Sequence, residues 1–403
     1  MALACGCQST TPAPPPLVLF PPPPAAPRIQ FLTWASGADQ VEPGQTRFQD
    51  FILGEKRRDL GSIDKPYGVA ARDGVVYVCD SKGLCICRLD FKHSTYSVFG
   101  DRGPGRLRKP INIVIDPLGY KFVVDPVRKQ VVVFDPQDRY ATALSIPEPC
   151  RPVDVALYEN ELYVLDNDTT CQIVVLDRES GKVLRTFGSL GDEPGQFKLP
   201  SSLCIGPKGF LYVSDTMNWR IQKLTRTGEP VWTRGTPGYT LSRFGRPRGI
   251  RVGPDGVVYV VDGATELVQM FSEDGDVLMH FGGPGTSPGA MNLPSSLAID
   301  ATSVPYFRKY VHEKFAVDHL LFVANQFGPY PINIYAFGSF PPGYTPAAAA
   351  IAPIEAGPED AGLPPVDDSS DTDTSPDTPD KPGPEDPDDP ASPGGGKNDP
   401  SGD

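Results

Sequence analysis

Between Pro66 and Phe337 apolar and polar residues alternate in short runs that break at Gly, Asn or Asp, and the same order of runs comes round six times. The clearest copy spans residues 200–224, PSSLCIGPKGFLYVSDTMNWRIQKL, where period-two segments are separated by Gly209 and by the stretch from Asp215 to Asn218. Period two marks strands with one buried face, so each copy predicts three strands joined by two hairpins. The copies start at Pro66, Pro110, Pro152, Pro200, Pro247 and Pro294, spaced 44, 42, 48, 47 and 47 residues apart. A fourth run ends in Phe-Gly at Phe99-Gly100, Phe187-Gly188 and Phe281-Gly282 and leads into a Gly/Pro-rich turn. Four antiparallel strands in a repeat of this length predict an all-β fold, a six-bladed β-propeller.

The sixth copy is one outer strand short, because the pattern stops after Phe337. The run from Ile29 to Thr33 can supply that strand and close the ring, which removes the exposed edges that a β-rich protein must otherwise protect. The expected layout is a Cys-containing segment and Pro-rich tether over 1–27, the propeller over 28–340, and an acidic tail over 341–403. The tail is Ala, Pro, Gly, Ser and acid with almost no aromatic residue. Such a composition cannot bury enough apolar surface to offset chain entropy, so both tails are expected to be disordered. The C-terminal tail also carries most of the formal net charge of −13 over the 403 residues, which leaves the propeller close to neutral.

The block from Tyr212 to Ile221, Tyr-Val-x-Asp-x-x-Asn-x-Arg-Ile, resembles the NHL repeat, and the resemblance covers the whole patterned region. It implies a six-bladed propeller in which a blade Asp recurs at Asp80, Asp125, Asp166, Asp215 and Asp262, with Asn325 in the sixth copy. The expected job of that side chain is to accept hydrogen bonds from nearby backbone N–H groups. The family Arg survives only as Arg220, whereas Cys85, Gln130, Gln172 and Leu267 stand in the corresponding places. The chain is therefore a divergent case, and blade 3 carries an extra residue between Asp166 and Ile173.

Residues Ala2-Leu3-Ala4-Cys5 resemble the lipobox of bacterial lipoproteins, in which the Cys is acylated. On this reading the basic and apolar parts of the signal precede Met1, and Cys5 tethers the propeller to a bacterial envelope membrane by a lipid anchor alone. The remaining cysteines, Cys79, Cys85, Cys87, Cys150, Cys171 and Cys204, lack a Cys-x-x-Cys knuckle or neighbouring His pair and read as strand residues. A cross-strand disulfide from Cys79 is possible in an oxidising compartment. His93 and His280 fall at outer-strand positions, and His312 and His319 in one loop, so no imidazole cage is expected.

The third residue of each copy runs Gly68, Asn112, Asp154, Ser202, Gly249, Ser296. Asn112 and Asp154 are the two oxygen donors here suited to a hard cation such as calcium; without neighbouring carboxylates, the more usual role for Asp154 is a hydrogen-bond acceptor at strand entry. The residue before each Pro runs Lys65, Lys109, Arg151, Leu199, Arg246, Leu293, with Arg108 and Arg248 alongside. In a closed propeller these equivalent points form a ring on one face, so Lys65, Lys109, Arg151, Arg246 and Arg248 are expected to surround the channel mouth and focus a positive potential there. The alternative is that the basic stems cover apolar strand ends while their heads stay in water.

Blade 6 carries an insertion over 301–319 with Tyr306, Arg308 and Tyr310, placed on the opposite face. It suits either partner docking or capping of the channel. Nucleic acid is not expected, because the propeller is near neutral and the tail acidic. The expectation is a non-enzymatic, envelope-associated binding or scaffold protein for a protein or acidic polymer, without a cofactor. The alternative is a calcium-dependent lactonase-, esterase- or lyase-like propeller.

Overall fold

The computed structural model describes residues 17–42, 61–344 and 346. Six antiparallel sheets stand around a ring, with inner strands Pro66–Arg72, Asn112–Ile115, Pro152–Tyr158, Pro200–Ile205, Pro247–Val252 and Pro294–Asp300. Each inner strand packs beside the next and the sixth packs beside the first, so the ring is closed. Blades 1–5 have four strands each. Register sets the polarity of the ring: in blade 1 Pro66 lies opposite Asp80, Asp80 opposite Cys85, and Ile86 opposite Phe99. Every blade Pro, blade Asp and outer-strand end therefore shares one side, here called the proline face.

The core lies between blades, where alternate residues of neighbouring sheets meet. Tyr212 of blade 4 joins Phe244, Ile250, Val258 and Phe271 around blade 5, and Tyr163, Tyr259 and Tyr335 are fully buried in other blades. Burying one such side chain contributes about 1.5–3 kcal/mol. The Phe-Gly motif has a physical cause. Gly188 and Gly282 adopt left-handed φ values of 84° and 88°, and a Cβ there would come within 2.6 Å of Phe197 and 2.7 Å of Met291. These buried residues pin each connection as it crosses to the next blade.

The N-terminal closing strand forms as expected and is longer: Ile29–Ala35 pairs antiparallel with Ile332–Ser339, running from Ile29 opposite Phe337 to Ala35 opposite Ile332. The Pro-rich stretch departs from a simple tether. Val18–Phe20 adds a fifth strand, Val18 opposite Phe31 and Phe20 opposite Ile29. All three of its residues are buried, because the edge of the closing strand leaves an apolar slot beside Phe281 and Tyr335. Cys5 and the acidic tail beyond residue 346 lie outside the described residues.

The insertion of blade 6 is shorter than the pattern implied, because the second strand starts at Ala316 and runs to Asn325. His319 is thus a buried strand residue and not a loop residue, and its Nε2 lies 3.0 Å from the Tyr259 hydroxyl. What remains is a one-turn helix, Val304–Phe307, and a 3-10 turn, Arg308–Tyr310. Phe307 is buried against Phe91 and Phe322, while Ser303 and Thr302 accept from the N–H groups of Gly74 and Asp73 in blade 1. Gln30 of the closing strand donates to the Tyr310 carbonyl and accepts from His312 N–H, at 2.9 and 3.0 Å. The insertion thereby ties blade 6, blade 1 and the N-terminal strand together.

Candidate functional site at the proline face

The blade carboxylates set the geometry of this face. Asp80 accepts from the N–H groups of Asp64, Lys65, Lys82 and Gly83 at 2.7–3.1 Å. Asp125 does the same for Arg108, Lys109, Val127 and Arg128, and Asp262 for Gly245, Arg246 and Ala264. Asp166 takes the Arg151 N–H at 2.7 Å. One buried carboxylate therefore holds both the hairpin of its own blade and the backbone of the residue before the Pro. Bonds to a charged acceptor are about twice as strong as neutral ones, so they fix the backbone of the four cations that precede a Pro. In the two Leu blades the backbone differs, since Leu199 and Leu293 take left-handed φ values of 46° and 48°.

Tyr67, the second residue of blade 1, lies against Arg248 and feels the charges of Arg246 and Arg151. Arg248 leaves blade 5, passes Gln326 of blade 6 and places Nη2 3.0 Å from the Tyr67 hydroxyl, with its guanidinium 5.2 Å from the ring centroid. Burial alone would raise the Tyr67 phenol. Arg248, supported by Arg246 and Arg151, outweighs burial and brings it below the ordinary tyrosine value. Burial and the adjacent Arg248 also lower Arg246. Arg248 is only 7% exposed, and among the described residues its guanidinium is held by neutral oxygens. A desolvated cation with neutral partners costs free energy and favours an arriving anion. Lys65 stands apart, its ammonium 5.9 Å over the exposed ring of Phe327, and Lys109 is half-buried near the exposed Arg108.

The third-position residues meet from blade to blade as a polar collar. Asp154 is fully buried, and its carboxylate accepts from Ser202 Oγ at 2.6 Å, Leu203 N at 3.0 Å and Val155 N at 2.8 Å. Arg251 of blade 5 reaches past Ser202 to the same carboxylate at 3.4 Å. Asp154 thus works as an internal acceptor that links blades 3, 4 and 5. Asn112 is buried beside Gly68, and its Oδ1 has no hydrogen-bond partner. Among the described residues no three His, Cys, Asp or Glu side chains gather at metal-binding distance. The six described cysteines are buried free thiols, and Cys79 sits opposite Ile86 rather than another Cys.

Tyr67 and Arg251 did not emerge from the sequence, although a signal existed. The second position runs Tyr67, Ile111, Val153, Ser201, Arg248, Ser295, and the fifth runs Ala70, Val114, Ala156, Cys204, Arg251, Ala298. In each, an Arg interrupts small or apolar residues. Reading those rings as the pre-Pro ring was read exposes both. Tyr306, Arg308 and Tyr310 lie on the opposite face: Tyr306 covers Gly74, Tyr310 is bonded to Gln30, and Arg308 is exposed. That face also holds a cleft of about 500 Å³ between blades 3 and 4, lined by Glu161, Arg185, Lys208, Phe210 and Arg226. Its charges are largely paired internally, Arg185 with Glu161 at 2.5 Å and Lys208 with Glu273 at 2.6 Å.

No family model matches the chain. Among solved structures it is similar to a Bacteroides thetaiotaomicron protein of unknown function, with 18% identity, TM-score 0.52, and coverage of 77% of this chain and 75% of that one. It also resembles a calcium-binding regucalcin from Agrobacterium tumefaciens, at 13% identity and TM-score 0.48 over 69% of this chain and 92% of that one. A virginiamycin B lyase from Staphylococcus aureus aligns at 16% identity and TM-score 0.47, over 66% and 78%. At these identities the similarity speaks to the fold alone. The chain is a six-bladed β-propeller whose ring is closed by a strand from its own N-terminus.

Proposed function

We propose that this chain is a divergent NHL-type propeller that acts as a non-enzymatic binding platform, tethered to a bacterial envelope through acylated Cys5. Its proline face takes an anionic ligand, either an acidic polymer or an acidic protein segment. The observation that carries this reading is the desolvated Arg248, held at the channel mouth against Tyr67 by neutral oxygens, with Arg246 and Arg151 acting on the same phenol. Arg248 is 7% exposed and meets only neutral oxygens among the described residues, and a bound anion supplies the countercharge those oxygens do not. A rigid ring also preorganises them, so little ordering entropy is lost on binding.

The calcium-dependent enzyme alternative is weaker on geometry, because a cation at Asp154 would have to displace Arg251 and Ser202. Calorimetric titration with poly-L-glutamate tests the binding reading. Unmodified protein should bind with an affinity that falls as salt rises, and Arg151→Glu with Arg246→Glu should lose at least about tenfold. Equal affinity of that double variant would remove the site. Mass spectrometry of the native N-terminus tests the tether, and an unmodified Met1 would end it.

A further inference from the structure

The loops of the two faces differ in a way that the rim cations alone do not explain. Among the described loops the strongly exposed apolar side chains collect on the proline face: Val127, Leu190, Leu199, Tyr239, Leu241 and Phe327. Val127 and Phe327 are each 59% exposed; the opposite-face loops offer Leu118, and the exposed Leu184, Val231 and Leu278 stand on outer strands rather than at loop tips. The six belong to the hairpin of blade 2, the connections from blade 3 to 4 and from blade 4 to 5, and the hairpin of blade 6. They ring the face instead of forming one groove. Apolar tips carried by separate loops around one face match a plane better than they match a compact protein epitope, whose anchors cluster centrally.

A second feature lies on the same side. The connection from blade 1 to blade 2 holds Arg102, Arg106, Arg108 and Lys109, none with a side-chain partner among the described residues. Next to it, Arg128 donates to the carbonyls of Pro104 and Arg106, so its charge meets no carboxylate there. A third feature concerns the chain path. Val18–Phe20 runs antiparallel to the closing strand, whose Ala35 end is at the proline face, so the Val18 end of this strand points toward the proline face.

We infer that the proline face rests on an anionic lipid surface, with the Arg102 to Lys109 connection on headgroup phosphates and the apolar loop tips dipping between headgroups. The inference rests on the anionic-ligand reading and names its source as lipid. Interfacial apolar residues beside cations are the combination that anionic bilayers select, since each supplies an independent increment of affinity. A soluble acidic polymer would use the cations and leave the apolar tips in water.

The test is co-sedimentation of the full chain with vesicles of phosphatidylcholine alone and of phosphatidylcholine with phosphatidylglycerol, with poly-L-glutamate binding measured in parallel. The expected result is selective binding to the phosphatidylglycerol vesicles. Replacing Arg102, Arg106 and Arg108 by Gln should weaken it on the order of 100-fold. Leu190→Ser with Leu241→Ser should weaken vesicle binding about tenfold or more and leave poly-L-glutamate binding unchanged. These positions are exposed, and circular dichroism of each variant checks that it is folded. Equal binding to both vesicle types, or full vesicle affinity in the Leu190/Leu241 variant, would overturn the inference. Binding of poly-L-glutamate without vesicle binding would leave the anionic-ligand reading standing and reject lipid; binding of neither would reject both.

Discussion

Asp215 and Arg220 show what a single side chain does in this ring. The guanidinium donates to the Asp215 carboxylate at 2.8 Å and to the carbonyls of Asp192, Glu193 and Gln196, so it ties a whole interblade connection to one hairpin. Burial raises the Asp215 carboxyl in spite of Arg220 and the Lys198 N–H, which means the pair offsets part of its own desolvation cost. Removing one partner strands the other. Arg220→Leu should therefore destabilise the protein by about 3 kcal/mol in chemical denaturation. Glu161 makes the opposite case at a wetter site: its bonds to Arg185, against burial, hold it at about 2, well below the ordinary carboxylate range. A depressed carboxylate contributes stability that is fully present above its unfolded value and is lost as pH falls through its folded one. Melting temperature should accordingly decline from about pH 4.5 towards pH 2, and Glu161→Gln should flatten that part of the profile. The blade Asp was legible from sequence because one residue recurs at one place with one job. Tyr67 was not, because its partners come from blades 3 and 5, and only a closed ring brings them to blade 1.

At the scale of elements, strands were readable because their period and turn chemistry are local, whereas the two surprises are tertiary. Val18–Phe20 has little pattern of its own and becomes a strand because the closing strand offers it an edge and an apolar slot. The blade 6 insertion was legible as a break in period, yet its contacts run to Gly74 and Gln30, far away in sequence. Two predictions belong here. Gly188→Ala combines a left-handed backbone with a clash on Phe197, and should cost about 1–3 kcal/mol in equilibrium unfolding. Gln30→Leu removes both bonds that hold the insertion to the closing strand, and should lower stability by about 1–3 kcal/mol. Hydrogen exchange should speed up first at His312 if the insertion is fastened as described.

At the scale of the whole molecule, closure turns a repeated sequence into a surface. The residue before each Pro is unremarkable within its own blade; six copies around one axis make a rim, and the blade carboxylates fix its backbone. Charge then separates from scaffold: Asp154 and Arg251 neutralise each other inside the ring, whereas Arg248 lies on Tyr67 at the mouth, where the charges of Arg246 and Arg151 converge on the same phenol. That convergence is the central claim, and Tyr67 itself reports on it. The direct measurement is ultraviolet difference titration of the Tyr67 phenol, taken as unmodified protein minus Tyr67→Phe, with and without poly-L-glutamate. The account predicts ionisation below the usual tyrosine range in the free protein and a shift to higher pH once the anion occupies the arginines. An ordinary or raised value in the free protein, or a bound anion that leaves the Tyr67 titration where it was, would contradict it.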